Sequence, residues 1–171
     1  ILEPSAGIGH FIGAMPIDIM EKSKIESVEM DSITGHILSA LYPATRTNIK
    51  GYERTKIAPN SVDLVISNIP FGDYKVMDLG FLSNKDPRVR QSMNKIHSYF
   101  FVRGLMDLKP GGLMALVTTA GIMDAKGNSD IRDYILDNAE FMGAIRLPNT
   151  TFKGNANTEV VTDIIFLRKF D

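Results

Sequence analysis

Short apolar runs alternate with stretches of helical period along the whole chain. Seven runs read as strands: Ile1–Glu3, Ser27–Met30, Thr47–Gly51, Val62–Ser67, Leu113–Thr118, Phe141–Leu147 and Val160–Leu167. Helices fit between most of them. Ile33, Ile37, Leu38 and Leu41 share one face of a helix that Pro43 punctuates. Ile96, Phe100, Phe101, Leu105 and Leu108 mark a second helix, closed by Pro110-Gly111-Gly112, and Ser129-Asp130 opens a third with capping chemistry. This alternation predicts a parallel sheet covered by helices. Between strands three and four only a short turn fits. Pro148 to Thr158 is too short for a helical crossover, so the last two strands form an antiparallel pair. Gly72–Met93 is long and polar, a pattern that marks function or mobility.

The chain has 171 residues and 44% apolar content, enough for one domain with a real core. Its net charge of −1 argues against a free-standing, strongly basic nucleic-acid binder. With no cysteine, disulfide scaffolds, thiolate metal sites and cysteine nucleophiles are excluded. His10, His36 and His97 do not sit as a metal-binding set, so no metal is expected. No apolar run reaches membrane-spanning length and no signal peptide opens the chain, which predicts a cytoplasmic protein without a membrane partner. Residue 1 already stands in a strand-like run, so the expectation is a single domain, 1–171, cut from a larger protein.

Candidate chemistry gathers at three turns. Glu3-Pro4-Ser5-Ala6-Gly7-Ile8-Gly9 follows the first strand, where glycines let the backbone turn sharply and approach a ligand. The spacing Gly7, Gly9, Gly13 misses the dinucleotide fingerprint by one residue, and a plain tight loop is the competing reading. Glu29 ends strand two, where a carboxylate can accept both ribose hydroxyls of an adenosine moiety. Glu53, past strand three, is placed to face an adenine edge; a solvated carboxylate is the alternative for each. The third turn, Asn68-Ile69-Pro70-Phe71, follows strand four. Pro70 biases Ile69 toward an extended backbone, setting its carbonyl beside the Asn68 amide as a pair of acceptors for an NH2 group. Phe71 offers a flat face for a planar ring. The cations Lys85, Arg88, Arg90 and Lys95 are placed to meet phosphates, or form an ordinary solvated face.

Glu3-Pro4-Ser5-Ala6-Gly7-x-Gly9-x-Phe11, Glu29 and Asn68-Ile69-Pro70-Phe71 resemble, in order and spacing, the S-adenosylmethionine-dependent N6-adenine DNA methyltransferases of the gamma motif arrangement. Arg146-Leu147-Pro148-Asn149-Thr150-Thr151-Phe152 with Thr162-Asp163-Ile164-Ile165-Phe166-Leu167 resembles the closing hairpin of restriction-system modification subunits, and of methylase–helicase proteins of mobile elements. The resemblance implies a class I, Rossmann-like methyltransferase: a doubly wound, seven-stranded, mostly parallel sheet with an antiparallel last strand. It implies S-adenosylmethionine as cofactor, held by Glu3, Pro4, Ser5, Ala6, Gly7, Gly9, Phe11, Glu29, Met30 and Glu53. Asn68, Ile69, Pro70 and Phe71 would be catalytic, acting on an adenine flipped out of DNA, with other domains supplying most DNA contacts. Ile69 departs from the family's proline, although its backbone carbonyl is the same. Rival readings are methyl transfer to RNA or a protein glutamine amide, and a non-catalytic cofactor- or DNA-binding module. A nicotinamide dehydrogenase leaves Asn68 without a role.

Overall fold

The computed structural model describes residues 1–151 and 160–171. Along the chain run β1 (Leu2–Glu3), α1 (His10–Gly13), α2 (Ile17–Lys22), β2 (Glu26–Glu29), α3 (Ser32–Leu41), β3 (Arg46–Ile49) and β4 (Val62–Asn68). Then come α4 (Leu79–Leu82), α5 (Pro87–Ser92), α6 (Ile96–Asp107), β5 (Leu108–Thr119), α7 (Gly121–Asp124), α8 (Ser129–Asn138), β6 (Ala139–Leu147) and β7 (Thr162–Lys169). The strands form one sheet in the order β3-β2-β1-β4-β5-β7-β6. β7 runs antiparallel to both of its neighbours, β5 and β6. Every expected strand is present, and the reversed strand is the last. The order changes direction between β1 and β4, so the carboxyl ends of these two strands flank the crevice where open α/β sheets hold ligands.

Core clusters lie against both sides of the sheet, while the edge strand β6 is largely exposed. On one face α6 packs Phe101, Val102 and Leu105 with Leu2, Val65, Met114 and Leu116. On the other, Ile12 and Leu38 pack with Ala6 and Ile25. Each such aliphatic side chain contributes about 1.5–3 kcal/mol on burial. α6 is buried nearly all round, with polar Ser98 and Asp107 also inside.

Four expectations change. In α3 only Leu38 of the apolar set is buried; Ile33, Ile37 and Leu41 face out. The contact stripe runs instead through Gly35 and Leu38, because Gly35 admits Ile49 of β3 against its backbone. Pro110-Gly111-Gly112 does not close α6, which ends at Asp107; it forms an irregular start to β5, with Gly111 at φ +72° and a register shift opposite Val62 and Leu64. α8 follows Asn128, and no side chain caps it: the Asn128 amide turns inward to donate to the Gly121 carbonyl at 2.7 Å. The polar segment 72–93 is built rather than loose. Asp78 and Asp86 cap α4 and α5 through side-chain oxygens, and Phe81, Val89 and Met93 enter the core.

Candidate active site

Glu3 is the last residue of β1, and the backbone after it turns back on itself. The Ala6 N–H donates to the Val28 carbonyl and the Gly9 N–H to the Ala6 carbonyl. Gly7 (φ +55°) and Gly9 (φ +88°) hold left-handed conformations. A Cβ on Gly9 would lie 2.5 Å from the Tyr42 ring, whereas one on Gly7 would meet nothing within 4 Å. The two glycines therefore do different work: Gly9 lets α3 approach the turn, and Gly7 leaves open space in front of it.

Glu29 fastens this turn to the end of β2. Its Oε2 accepts the Gly7 N–H and its Oε1 accepts the Asp31 N–H, both at 2.8 Å. Asp31 then caps α3 by accepting the Thr34 N–H, which holds its carboxyl below the usual range. Ser67 of β4 closes the other side by donating to the Ser5 carbonyl.

Two cavities open along the carboxyl ends of the strands. The outer, about 220 Å³, is walled by Pro4, Met30, Lys50, Gly51, Tyr52, Glu53, Pro70, Tyr74, Tyr99 and Phe100 among others. The inner, about 460 Å³, is walled by Glu3, Ala6, Gly7, His10, Phe11, Asn68 and Val117. Ser5 and Glu29 border both, so the two adjoin in a trough along the strand ends, from β3 to the end of β4.

Glu3 is the unusual group in this trough. It is 2% exposed, and its Oε2 has no hydrogen-bond partner among the described residues. Burial pushes its carboxyl up to about 8. A buried acid of this kind answers a cation when one enters the cavity.

Asn68 stands exposed at the end of β4, in register with Val117. Ile69 directs its side chain into the core at 1% exposure, and its N–H donates to the Val117 carbonyl at 3.1 Å. A proline at 69 would lack that N–H. The hydrogen bond fixes the turn to β5 and offsets the missing ring. Phe71 is half-buried and lines neither cavity; its carbonyl accepts the Tyr74 hydroxyl at 3.0 Å.

Thus the trough brings together Glu3, Pro4, Ser5, Ala6, Gly7, Phe11, Glu29, Met30, Glu53, Asn68 and Pro70. Gly9, the Ile69 side chain and Phe71 lie off its walls. Sequence reading passed over Tyr52, Tyr74, Tyr99 and Phe100 as wall residues. The Tyr99-Phe100-Phe101 run signals a core helix, and nothing local says that two of its rings also border a cavity.

The four cations of the 85–95 region are not equivalent. Arg88 is tied to Asp86 and Asp137, at 2.9 and 2.6 Å, and lies over the Tyr134 ring. Arg90 donates to the Asn84 carbonyl, and Lys95 to Asn128 at 3.2 Å. Arg88 is a structural ion pair, so the phosphate reading retains Lys85, Arg90 and Lys95. In the closing hairpin, Arg146 grips Asp163 through two bonds, at 2.8 and 3.0 Å; Phe152 lies outside the described residues. No cluster of three or more His, Asp or Glu suited to a metal occurs among the described residues. No helix among them is long and apolar enough to cross a membrane.

The chain is 32% identical over 173 residues to the "Defense against restriction protein B" of Escherichia phage P1, covering 98% of this chain and 7% of that protein. The type I restriction-modification methyltransferase subunit of Streptococcus thermophilus superposes with a TM-score of 0.78 at 21% identity, over 98% of this chain and 39% of that one. A modification subunit assigned to a type I restriction enzyme of Vibrio vulnificus gives 0.79 at 17% identity, over 98% and 40%. At such identities the two structures establish the fold alone. The chain spans well under two thirds of each of these relatives. Residues 41–171, which carry the Asn68 turn, match the family described as N-6 DNA Methylase, and the chain belongs to that family.

Proposed function

We propose that this chain transfers a methyl group from S-adenosylmethionine to the N6 amino group of an adenine flipped out of DNA. The observation that carries the reading is the pair of adjoining cavities, sharing Ser5 and Glu29, that bring the glycine turn and Asn68 to the same strand ends. The family membership supports the reaction class.

The residues present fit this methyl donor. The orphaned Glu3 carboxylate suits the ammonium of an amino-acid moiety. Glu29 borders both cavities and keeps lone pairs free for hydroxyls, and Gly7 leaves space where a side chain would stand. The outer cavity, between Met30, Tyr52 and Phe100, suits a flat heterocycle. When bound, the donor supplies an electrophilic sulfonium methyl.

The chain's own residues then act on the target amine. Adenine N6 is a weak nucleophile because its lone pair is delocalised into the ring. Asn68 Oδ1 and the Ile69 carbonyl accept its two hydrogens and favour a pyramidal nitrogen, stabilising the positive charge that develops there. The Ile69 backbone is tied to β5 by its hydrogen bond to Val117 and Asn68 stands at the end of β4, so the second acceptor is in place before the base arrives. The amine loses its proton after transfer, so no general base is required. A base within a duplex cannot reach such a site, and stacking on Phe71 repays about 1–3 kcal/mol of extrusion. With a net charge of −1, most DNA affinity and all sequence choice come from other parts of a longer protein.

Calorimetric titration with S-adenosylmethionine, with NAD as control, tests the cofactor. Saturable binding of the first alone is expected. Mass spectrometry of DNA treated with the full-length protein then reads N6-methyladenine; its absence despite donor binding removes the DNA-adenine assignment. Glu29→Ala weakens donor binding by about 1–3 kcal/mol, the scale of a hydrogen bond to a charged group. Unchanged affinity in that variant takes Glu29 out of the site.

A further inference from the structure

A buried polar network lies behind the outer cavity and reaches its wall through Tyr52 and Tyr99. Arg103 of α6 donates from Nη1 to Asp78 at 3.0 Å and from Nε to Asp107 at 3.1 Å. The Tyr99 hydroxyl donates to Asp78 and the Tyr52 hydroxyl to Asp107, both at 2.7 Å. The Arg103 guanidinium also lies over the Tyr52 ring, 5.3 Å from its centroid. Asp78 and Asp107 are 4% and 1% exposed, so each needs its partners to remain inside.

The two ends of this network belong to different parts of the molecule. Tyr52 and Tyr99, 3% and 0% exposed, belong to the wall of the outer cavity. Asp78 caps α4, accepting the Gly80 N–H at 2.9 Å. Its own N–H meets the Met93 sulfur, and the Val76 N–H donates to the Met93 carbonyl. Asp78 therefore anchors the segment that leaves the Asn68 turn. One guanidinium holds the cavity's aromatic wall and that segment in a single arrangement.

We infer that Arg103 is a positioning residue that couples occupancy of the outer cavity to the order of the α4–α5 segment, through Asp78 and Tyr99 on one side and Asp107 and Tyr52 on the other. The inference rests on the outer cavity being the adenosine end of the cofactor site. Filling the cavity restrains both tyrosine rings. Their hydroxyls then hold the carboxylates, and the segment carrying Asp78 opens less often. The segment downstream of the catalytic turn is thus readied for the target base only when the methyl donor is in place.

Hydrogen–deuterium exchange of the full-length protein, with and without S-adenosylhomocysteine, tests this. Residues 79–92 line neither cavity of the trough, so protection there cannot come from direct contact. In the wild type the ligand slows exchange in 79–92 by about fivefold or more, the low end of ordinary site-to-site coupling. Asp78→Asn keeps a capping oxygen on α4 and removes the charge that Arg103 and the Tyr99 hydroxyl hold. It reduces that slowing to less than about twofold, while affinity for the ligand stays within about threefold, because Asp78 lines neither cavity. Arg103→Gln has the same effect and Arg103→Lys restores part of the slowing; if Arg103→Gln does not fold, Asp78→Asn carries the test. Ligand binding with undiminished slowing in these variants, or with no slowing in the wild type, overturns the inference and leaves the cofactor reading intact. A wild type that does not bind the ligand overturns both.

Discussion

Asn68→Ala lowers kcat for adenine methylation by at least about 10²-fold, the scale of losing one preorganised polar group at a developing charge. Donor affinity, read by calorimetry, stays within a few-fold, because Asn68 borders only the inner cavity and makes no bond to the glycine turn or to Glu29. The fold survives, since Asn68 is exposed at the end of β4 and its removal leaves no cavity. A variant that keeps wild-type turnover would dismiss the Asn68 amide as the acceptor for the amine. The complementary variant, Ile69→Pro, keeps the carbonyl but loses the N–H bonded to Val117. Its turnover therefore reports whether the backbone hydrogen bond or a proline ring better holds the second acceptor.

Glu3→Gln makes the protein more stable than the wild type at alkaline pH and impairs its binding of the methyl donor. The free Glu3 carboxyl titrates near 8, above its value of 4.5 in an open chain, because burial disfavours its charged form. A raised value means the native state binds the proton more tightly than the unfolded state. Stability is then fully present below about 4.5 and is lost as pH rises toward and through 8. The slope reaches about 1.4 kcal/mol per pH unit, with an upper bound on the order of 5 kcal/mol across the interval. Glutamine has the same shape and no such titration, so urea unfolding at a series of pH values yields two curves that diverge through this window. S-adenosylmethionine reverses the divergence, since its ammonium would favour the ionised carboxylate. Donor binding by the wild type below pH 8 also releases a proton, which calorimetry in buffers of different ionisation enthalpy detects. Parallel stability curves for the two proteins would mean that Glu3 is solvated and has no part in cation binding.

Much of the candidate site could be read from the chain because its signals are local. Gly7 and Gly9 stand where left-handed backbone is required, Glu29 stands at a strand end, and Pro70 follows a buried strand. Each is a property of a few consecutive residues. The same locality misled elsewhere. Gly9 looks like part of a ligand cradle, yet its missing side chain is taken up by Leu38 of α3 and by Tyr42 just past that helix. Arg88 looks like a free cation, yet Asp137 lies opposite it across 49 positions. The apolar face of α3 looks like a core stripe, yet a neighbouring stripe makes the contact.

By itself the sequence determined the type and order of the strands, the reversal of the last one, the three turns and the family they belong to. Period, proline and glycine chemistry act within a few residues and survive in any reading of the chain. Only the tertiary structure decided that β7 slots between β5 and β6, that Ile69 bonds to β5, and that Glu3 Oε2 is buried without a hydrogen-bond partner among the described residues. It alone assembled Tyr52, Asp78, Tyr99, Arg103 and Asp107, with Tyr52 and Asp107 meeting across 55 positions. Such contacts depend on how the sheet brings distant segments to one place. Each of those side chains has, on its own stretch of chain, an equally good bland explanation.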